Sequence, residues 1–273
     1  MRFRTEVAVR RAVRDLRDGW EMRREDPTYR RLAASYEFPD GSKRVYCYHV
    51  RKTAGTSLYL SFLGLGGEDP MDVWWRITHS RLPRAISGSY AFASNSRRLL
   101  AEGAYFFGRS HRSADEQPLR QHTFTVTVLR DPVDRVRSLY DYLVVGDAPD
   151  TPGRVGNHQR RWVAGGFDQF LERVPERDLL NQIATFSSRL DVAEAVDRIG
   201  GCSSVLFTKT FDEGLATLGR RLGLSLEVRR ARVGGIRSPL TDAQEAKLRL
   251  RLEPEYELLR RLEEGGLAGL ATT

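Results

Sequence analysis

The chain has 273 residues, 40% of them hydrophobic and 29% charged. That is enough apolar material for one large domain, or at most two small ones, and too much for global disorder. The 44 Lys and Arg residues against 36 Asp and Glu give a net charge of +8, carried mostly by arginine; this balance favours anionic ligands without choosing among nucleotides, sulfated sugars, nucleic acid and anionic lipid.

The N-terminal stretch is charged throughout and reads as helical over residues 4–34. It lacks the apolar core of a secretory signal, and no window approaches the ~18 apolar residues of a membrane span. The expected compartment is therefore the cytoplasm. Pro39-Asp40-Gly41 is a turn signal, and Val45 to Val50 is a short aromatic and β-branched run that suits a buried strand. It runs into Arg51-Lys52-Thr53-Ala54-Gly55-Thr56-Ser57 and then the apolar Leu58 to Leu63. Strand, small-residue loop and helix in that order make a phosphate site, because the first turn of the helix offers free N–H groups and the positive end of its dipole.

Residues 64–102 carry Gly66-Gly67 and Pro70 as breaks, with Trp74 and Trp75 anchoring a short helix. Ala104 to Phe107 reads as a second strand, ending at Gly108-Arg109-Ser110-His111. Thr123 to Leu129 is the clearest strand of all. It ends at Arg130, with Asp131 placed to cap the next helix and Pro132 in its first turn. Val133, Val136, Tyr140 and Leu143 form that helix's apolar stripe, which puts Arg135 and Ser138 away from the stripe's centre. Further helices are expected over 157–164, 167–173, 175–189, 211–222 and 242–262, with a strand at Ser204 to Phe207. Strands alternating with helices predict an α/β fold with a central parallel sheet flanked by helices on both faces. Cys47 and Cys202 sit in apolar, β-rich stretches and read as buried thiols, with one disulfide as the alternative. No Cys/His pattern suits a metal.

The loop of residues 51–57 is not the G-x-x-x-x-G-K-[ST] of nucleotide triphosphatases, since Lys52 precedes the glycine and the loop is short. It still suits one phosphate group, with Lys52 as a mobile charge and Thr56 and Ser57 as hydroxyl donors. Arg130 and Ser138, eight residues apart across a strand end and the following helix, suit a second.

These two segments together resemble the sulfotransferases that use 3′-phosphoadenosine 5′-phosphosulfate (PAPS), in particular the carbohydrate-type branch that includes heparan sulfate 2-O-sulfotransferases and many bacterial members. His49 to Ser57 is similar to the family's 5′-phosphosulfate loop, and Leu129 to Tyr140 to its 3′-phosphate motif. Fainter echoes occur at Asn157 to Gly165 and at Phe207 to Leu215, so the likeness spans residues 43–264. The resemblance implies one P-loop-like three-layer domain over 1–273, with residues 1–40 as a helical extension.

It also implies roles. Arg51, Lys52, Thr53, Ala54, Gly55, Thr56 and Ser57 would hold the 5′ end of PAPS, with Lys52 neutralising charge on the leaving phosphate. Arg130 and Ser138 would bind the 3′-phosphate, Arg237 and Ser238 would lie in a loop near the adenosine, and the product would be PAP. The family places a His after a Gly as general base. Here Arg109 follows Gly108 and the His is displaced to His111, which we take as the base, with Asp115 and Glu116 as fallbacks. His49 reads as core or supporting the site. The expected reaction is O-sulfonation of a small-molecule or carbohydrate acceptor, in line and without a metal, with 64–122 and 144–165 shaping the acceptor pocket. The arginine- and glycine-rich composition suits a bacterial cytoplasmic protein acting on a glycan or a secondary metabolite. The readings set against it are an ATP-dependent phosphotransferase, which lacks its full P-loop here, and a non-enzymatic binder of nucleic acid or anionic glycan, which lacks exposed aromatics interleaved with basic residues.

Overall fold

The computed structural model describes residues 27–79, 83–145, 157–230 and 239–267. Its centre is a six-stranded sheet in the order β2-β3-β4-β1-β5-β6. The strands are β1 (Arg44–Tyr48), β2 (Arg84–Ser87), β3 (Tyr90–Ser94), β4 (Phe107–Ser110), β5 (Thr123–Leu129) and β6 (Ser204–Phe207). Five of them run parallel; β2 pairs antiparallel with β3 at one edge. The sheet is thus the expected α/β sheet, with one antiparallel edge that the sequence did not announce.

Alternation along each strand sends side chains to two separate cores. Val45 and Cys47 of β1, with Phe124, Val126 and Val128 of β5, pack under α2 (Gly55–Leu63), α3 (Pro70–His79) and α11 (Phe211–Leu222). On the opposite face, Tyr46 joins the cluster that includes Leu99 and Leu100 of α4 (Arg97–Glu102) and Tyr29 of α1 (Pro27–Ala34). Leu129 and Phe207 join a larger one with α5 (Pro132–Val145), α7 (Gly166–Arg173), α9 (Asn181–Phe186), α10 (Val192–Gly200) and α13 (Glu253–Glu264). Three layers result, helices on each face of one sheet.

Several boundaries differ from the sequence reading for visible reasons. Ala104 to Phe106 approach the sheet as a bend, and the strand proper is Phe107–Ser110, where pairing with β1 begins at Val45 and Phe107. The long helix expected over 175–189 is two, α8 (Glu176–Leu179) and α9, broken at Leu180 with φ −99° and ψ 46°. The helix expected over 242–262 is likewise α12 (Asp242–Arg251) and α13, broken at Leu252, with Pro254 in the first turn of the second. Both cysteines are free. No helix among the described residues is long and apolar enough to cross a membrane.

Because β1, β4 and β5 are parallel neighbours, their carboxyl ends lie on one sheet edge. From β1 the chain goes on to β3 and β4 on one side, and from β5 it goes on to β6 on the other. The division between β1 and β5 is the topological switch point, where open α/β sheets form their ligand crevice.

Candidate functional site

The loop after β1 turns sharply. Lys52 and Ala54 both lie in the left-handed region, with φ 68° and 65°, a conformation that costs a non-glycine residue about 1–2 kcal/mol. Thr53 between them is buried, and its hydroxyl donates to the Val50 carbonyl at 3.1 Å. Ala54 is the N-cap of α2, and no side chain caps that helix end. The N–H groups of Gly55 and Thr56 find no backbone acceptor among the described residues, as expected of a first turn. Gly55 is glycine because the His49 ring lies against it: a Cβ there would sit 2.2 Å from His49 Cδ2. The loop is therefore an N–H-rich cradle, strained at two positions in the way functional turns often are.

Arg130 stands at the end of β5, next to that loop. Its Nη1 donates to the Lys52 carbonyl at 3.3 Å, and its Nη2 lies 3.9 Å from Asp134. Asp131 accepts from the Asp134 N–H at 2.8 Å and so caps α5 as its sequence predicts. Asp134, Ser138 and Tyr142 recur at spacings of four and share one face of α5. Asp134 meets Arg130, and the Lys52 ammonium lies 4.5 Å from the centre of the Tyr142 ring. Ser138, half-buried, falls between these two contacts along the helix. The two segments singled out in the sequence are therefore brought together: Arg130 reaches the Lys52 carbonyl, and Ser138 lies on the helix face between the residues that meet Arg130 and Lys52.

His111 follows β4, so it sits beside His49, which follows β1. The two rings stack with centroids 4.3 Å apart. Arg109 Nη1 donates to His49 Nδ1 at 2.6 Å. A guanidinium cannot accept, so His49 is neutral with its proton on Nε2. Burial, then His111 and Arg109, hold its pKa well below the usual imidazole value. His111 Nδ1 lies 2.9 Å from the His49 carbonyl. A carbonyl cannot donate, so Nδ1 carries the His111 proton and Nε2 keeps its lone pair. Loss of surrounding water and the Arg109 cation push the His111 pKa below its usual value. The residue keeps an exposed edge. An imidazole held in one tautomer by a carbonyl and neutral at pH 7 can accept a proton at its Nε2 lone pair.

Arg109 itself is buried, 6% exposed, over the Tyr59 ring at 4.2 Å. Among the described residues no carboxylate lies within ion-pair reach of it. A buried cation lacking a carboxylate beside an N–H-rich cradle suits a bound anion.

The site's underside is a set of residues that sequence reading missed. Asn181 Oδ1 accepts from the N–H of Arg51 at 2.8 Å, and Gln182 Oε1 accepts from the N–H of Arg130 at 2.9 Å. Gln182 in turn donates twice to Glu255, from its backbone N–H at 2.7 Å and from its Nε2 at 3.1 Å. Glu255 also faces Arg135 at 3.3 Å, and neither side chain of that pair has any exposed surface. Arg135 further donates to the carbonyls of Asp178, at 3.3 Å, and Leu179. Burial pushes the Glu255 carboxyl up, against the pull of Arg135 and Gln182. Arg135 was expected away from the apolar stripe and is instead fully buried, on the side of Leu139 four residues on. The available signal was that spacing of four from Leu139; nothing local marked Asn181, Gln182 or Glu255.

Other expected site residues fare variously. The Arg51 guanidinium pairs with Asp178 at 2.6 Å. The Ser57 carbonyl accepts from the Ser61 hydroxyl at 3.1 Å. Asp115 is held by the Ser113 and Ser188 hydroxyls and by Arg198 at 3.4 Å. Burial alone would raise its pKa, but these partners outweigh it and hold the carboxyl below its usual range. Arg237 and Ser238 lie outside the described residues, as do residues 146–156 of the expected acceptor region.

Neither a protein-family model nor a curated protein matches the chain. Among solved structures it is similar to a mouse sulfotransferase, SULT7A1, in complex with PAP, at 14% identity and a TM-score of 0.30, over 82% of this chain and 68% of that one.

Proposed function

We propose that the chain is a PAPS-dependent sulfotransferase that moves a sulfonate group to a hydroxyl of a small-molecule or carbohydrate acceptor. The observation that carries this reading is the convergence of its two motifs: Lys52 and Arg130, from the loops after neighbouring parallel strands, meet at 3.3 Å through the Lys52 carbonyl. An ordinary β–α turn accounts for either motif alone but gives no reason for both to line one crevice.

PAPS, when bound, supplies the sulfonate and departs as PAP. The residues present fit it: the N–H-rich turn of residues 52–56 suits the 5′ end, and the buried Arg109, with no carboxylate in ion-pair reach among the described residues, calls for negative charge nearby. The first-turn N–H groups of Gly55 and Thr56 and the hydroxyls of Thr56 and Ser57 orient that end. Lys52 counters the charge that develops on the leaving phosphate. Arg130 and Ser138 hold the 3′-phosphate, the group that separates PAPS from other adenine nucleotides. His111 takes the acceptor's proton at Nε2 while its Nδ1–H stays on the His49 carbonyl.

Calorimetric titration with PAP and with ADP at moderate salt tests this reading. The expected result is micromolar PAP affinity, on the order of −8 kcal/mol, with much weaker ADP binding. Equal or absent binding overturns it. Mass spectrometry over hydroxylated acceptors then reads the sulfonate mass gain.

A further inference from the structure

Asn181 and Gln182 are adjacent in the chain, yet their side chains reach two different loops. Asn181 Oδ1 holds the N–H of Arg51, and Gln182 Oε1 holds the N–H of Arg130. Each of these N–H groups belongs to a residue just past its strand, where sheet pairing has ceased to dictate the backbone. One short segment at the kink between α8 and α9 therefore fixes where both loops begin.

The segment is itself anchored. Arg135 donates to the carbonyls of Asp178 and Leu179, and Glu255 accepts from the backbone N–H and the Nε2 of Gln182. Every donor and acceptor of the Gln182 amide side chain that meets Arg130 or Glu255 is matched in kind, so the amide cannot turn over without facing like against like. Arg51 is tied a second time through its guanidinium to Asp178. Such contacts constrain distance and direction better than they add affinity.

We infer that Asn181 and Gln182 are positioning residues that set the spacing between the two phosphate-binding loops, so that the site accepts a nucleotide carrying both a 5′- and a 3′-phosphate. This rests on the sulfotransferase reading, and adds to it how the two phosphates are told apart. Asn181 governs the 5′ loop and Gln182 the 3′ corner, so their loss separates by ligand.

The test is calorimetric titration of the full chain with PAP and with AMP, which lacks the 3′-phosphate. Replacing Gln182→Met leaves the Arg130 N–H without its acceptor. It should weaken PAP by about tenfold while AMP affinity stays as in the parent protein. Asn181→Ala should weaken PAP and AMP by the same factor. A merely structural role would move both ligands together in both variants, or lower the melting temperature with affinities unchanged; either result overturns the inference. If Gln182→Met does not fold, Asn181→Ala, at a half-buried position, decides: an equal loss of PAP and AMP affinity at the parent's melting temperature supports the inference, and unchanged affinities, or a loss that comes with a lowered melting temperature, overturn it. If the parent protein binds PAP no better than AMP, the sulfotransferase reading falls and takes the spacing role with it. A parent that prefers PAP, with a Gln182→Met variant that keeps the parent's ratio, removes only the spacing role.

Discussion

Single residues in the crevice divide by what they touch. Lys52→Ala removes the loop's ammonium and its contact with the Tyr142 ring. It should lower turnover by about a hundredfold or more while PAP affinity changes only a few-fold, read by steady-state kinetics beside calorimetry. Loss of PAP binding in this variant would put Lys52 in ground-state binding instead. His111→Ala should abolish turnover with PAP affinity kept, and full activity there would remove it as the base. The sign of the pH dependence follows from the tautomers. With its pKa pushed down, His111 stays neutral below 6.5, so the acid limb of kcat/KM should lie under the usual imidazole range. Stability moves in the matching direction. His49 and His111 both have folded pKa values below the unfolded one, so the unfolded chain binds more protons as pH drops. Stability is full above about pH 6.5 and should fall as pH goes below it, which thermal melts from pH 8 to 5 would read.

At the scale of elements, the loop after β1 depends on the ring beneath it. Gly55→Ala sets a Cβ 2.2 Å from His49 Cδ2 and should cost about 1–3 kcal/mol. The combination Gly55→Ala with His49→Ala opens that space, so the two losses should not add; a double-mutant cycle by denaturant unfolding measures the difference. Additive losses would mean that the ring and the glycine are not coupled. The strand-loop-helix units were legible in the sequence because period-two runs such as Thr123 to Leu129 and cap residues such as Asp131 act locally. Both motifs around the crevice were legible for the same reason. The kinks at Leu180 and Leu252 were not, since helical patterning continues across them. Nor were Asn181, Gln182 and Glu255, whose partners lie 73 or more residues away for Glu255 with Gln182 and 130 away for Asn181 with Arg51. Spacing rules reach about one turn of helix and carry nothing over such separations.

For the whole molecule, the Arg135–Glu255 pair ties α13 to α5 with neither side chain exposed to solvent. Removing one partner leaves the other charged and buried, so Glu255→Ala should cost about 3–5 kcal/mol. Replacing both, as Arg135→Met with Glu255→Leu, should recover most of that loss, because matched apolar groups need no counter-charge. Urea unfolding of the two variants checks it; a double variant as unstable as the single would show that the pair contributes more than mutual neutralisation. The recovered stability should not restore nucleotide discrimination, since Gln182 then has no carboxylate to hold it.

Glu255 has a consequence for synthesis. The chain emerges from the ribosome N-terminal end first, at about 5–20 residues per second. The segments after β1 and β5 are out of the tunnel long before residue 255, yet the carboxylate that braces Gln182 belongs to that residue. A nascent chain thus displays the motifs for several seconds without the brace that sets their separation, and on the proposed reading nucleotide capture waits for residue 255.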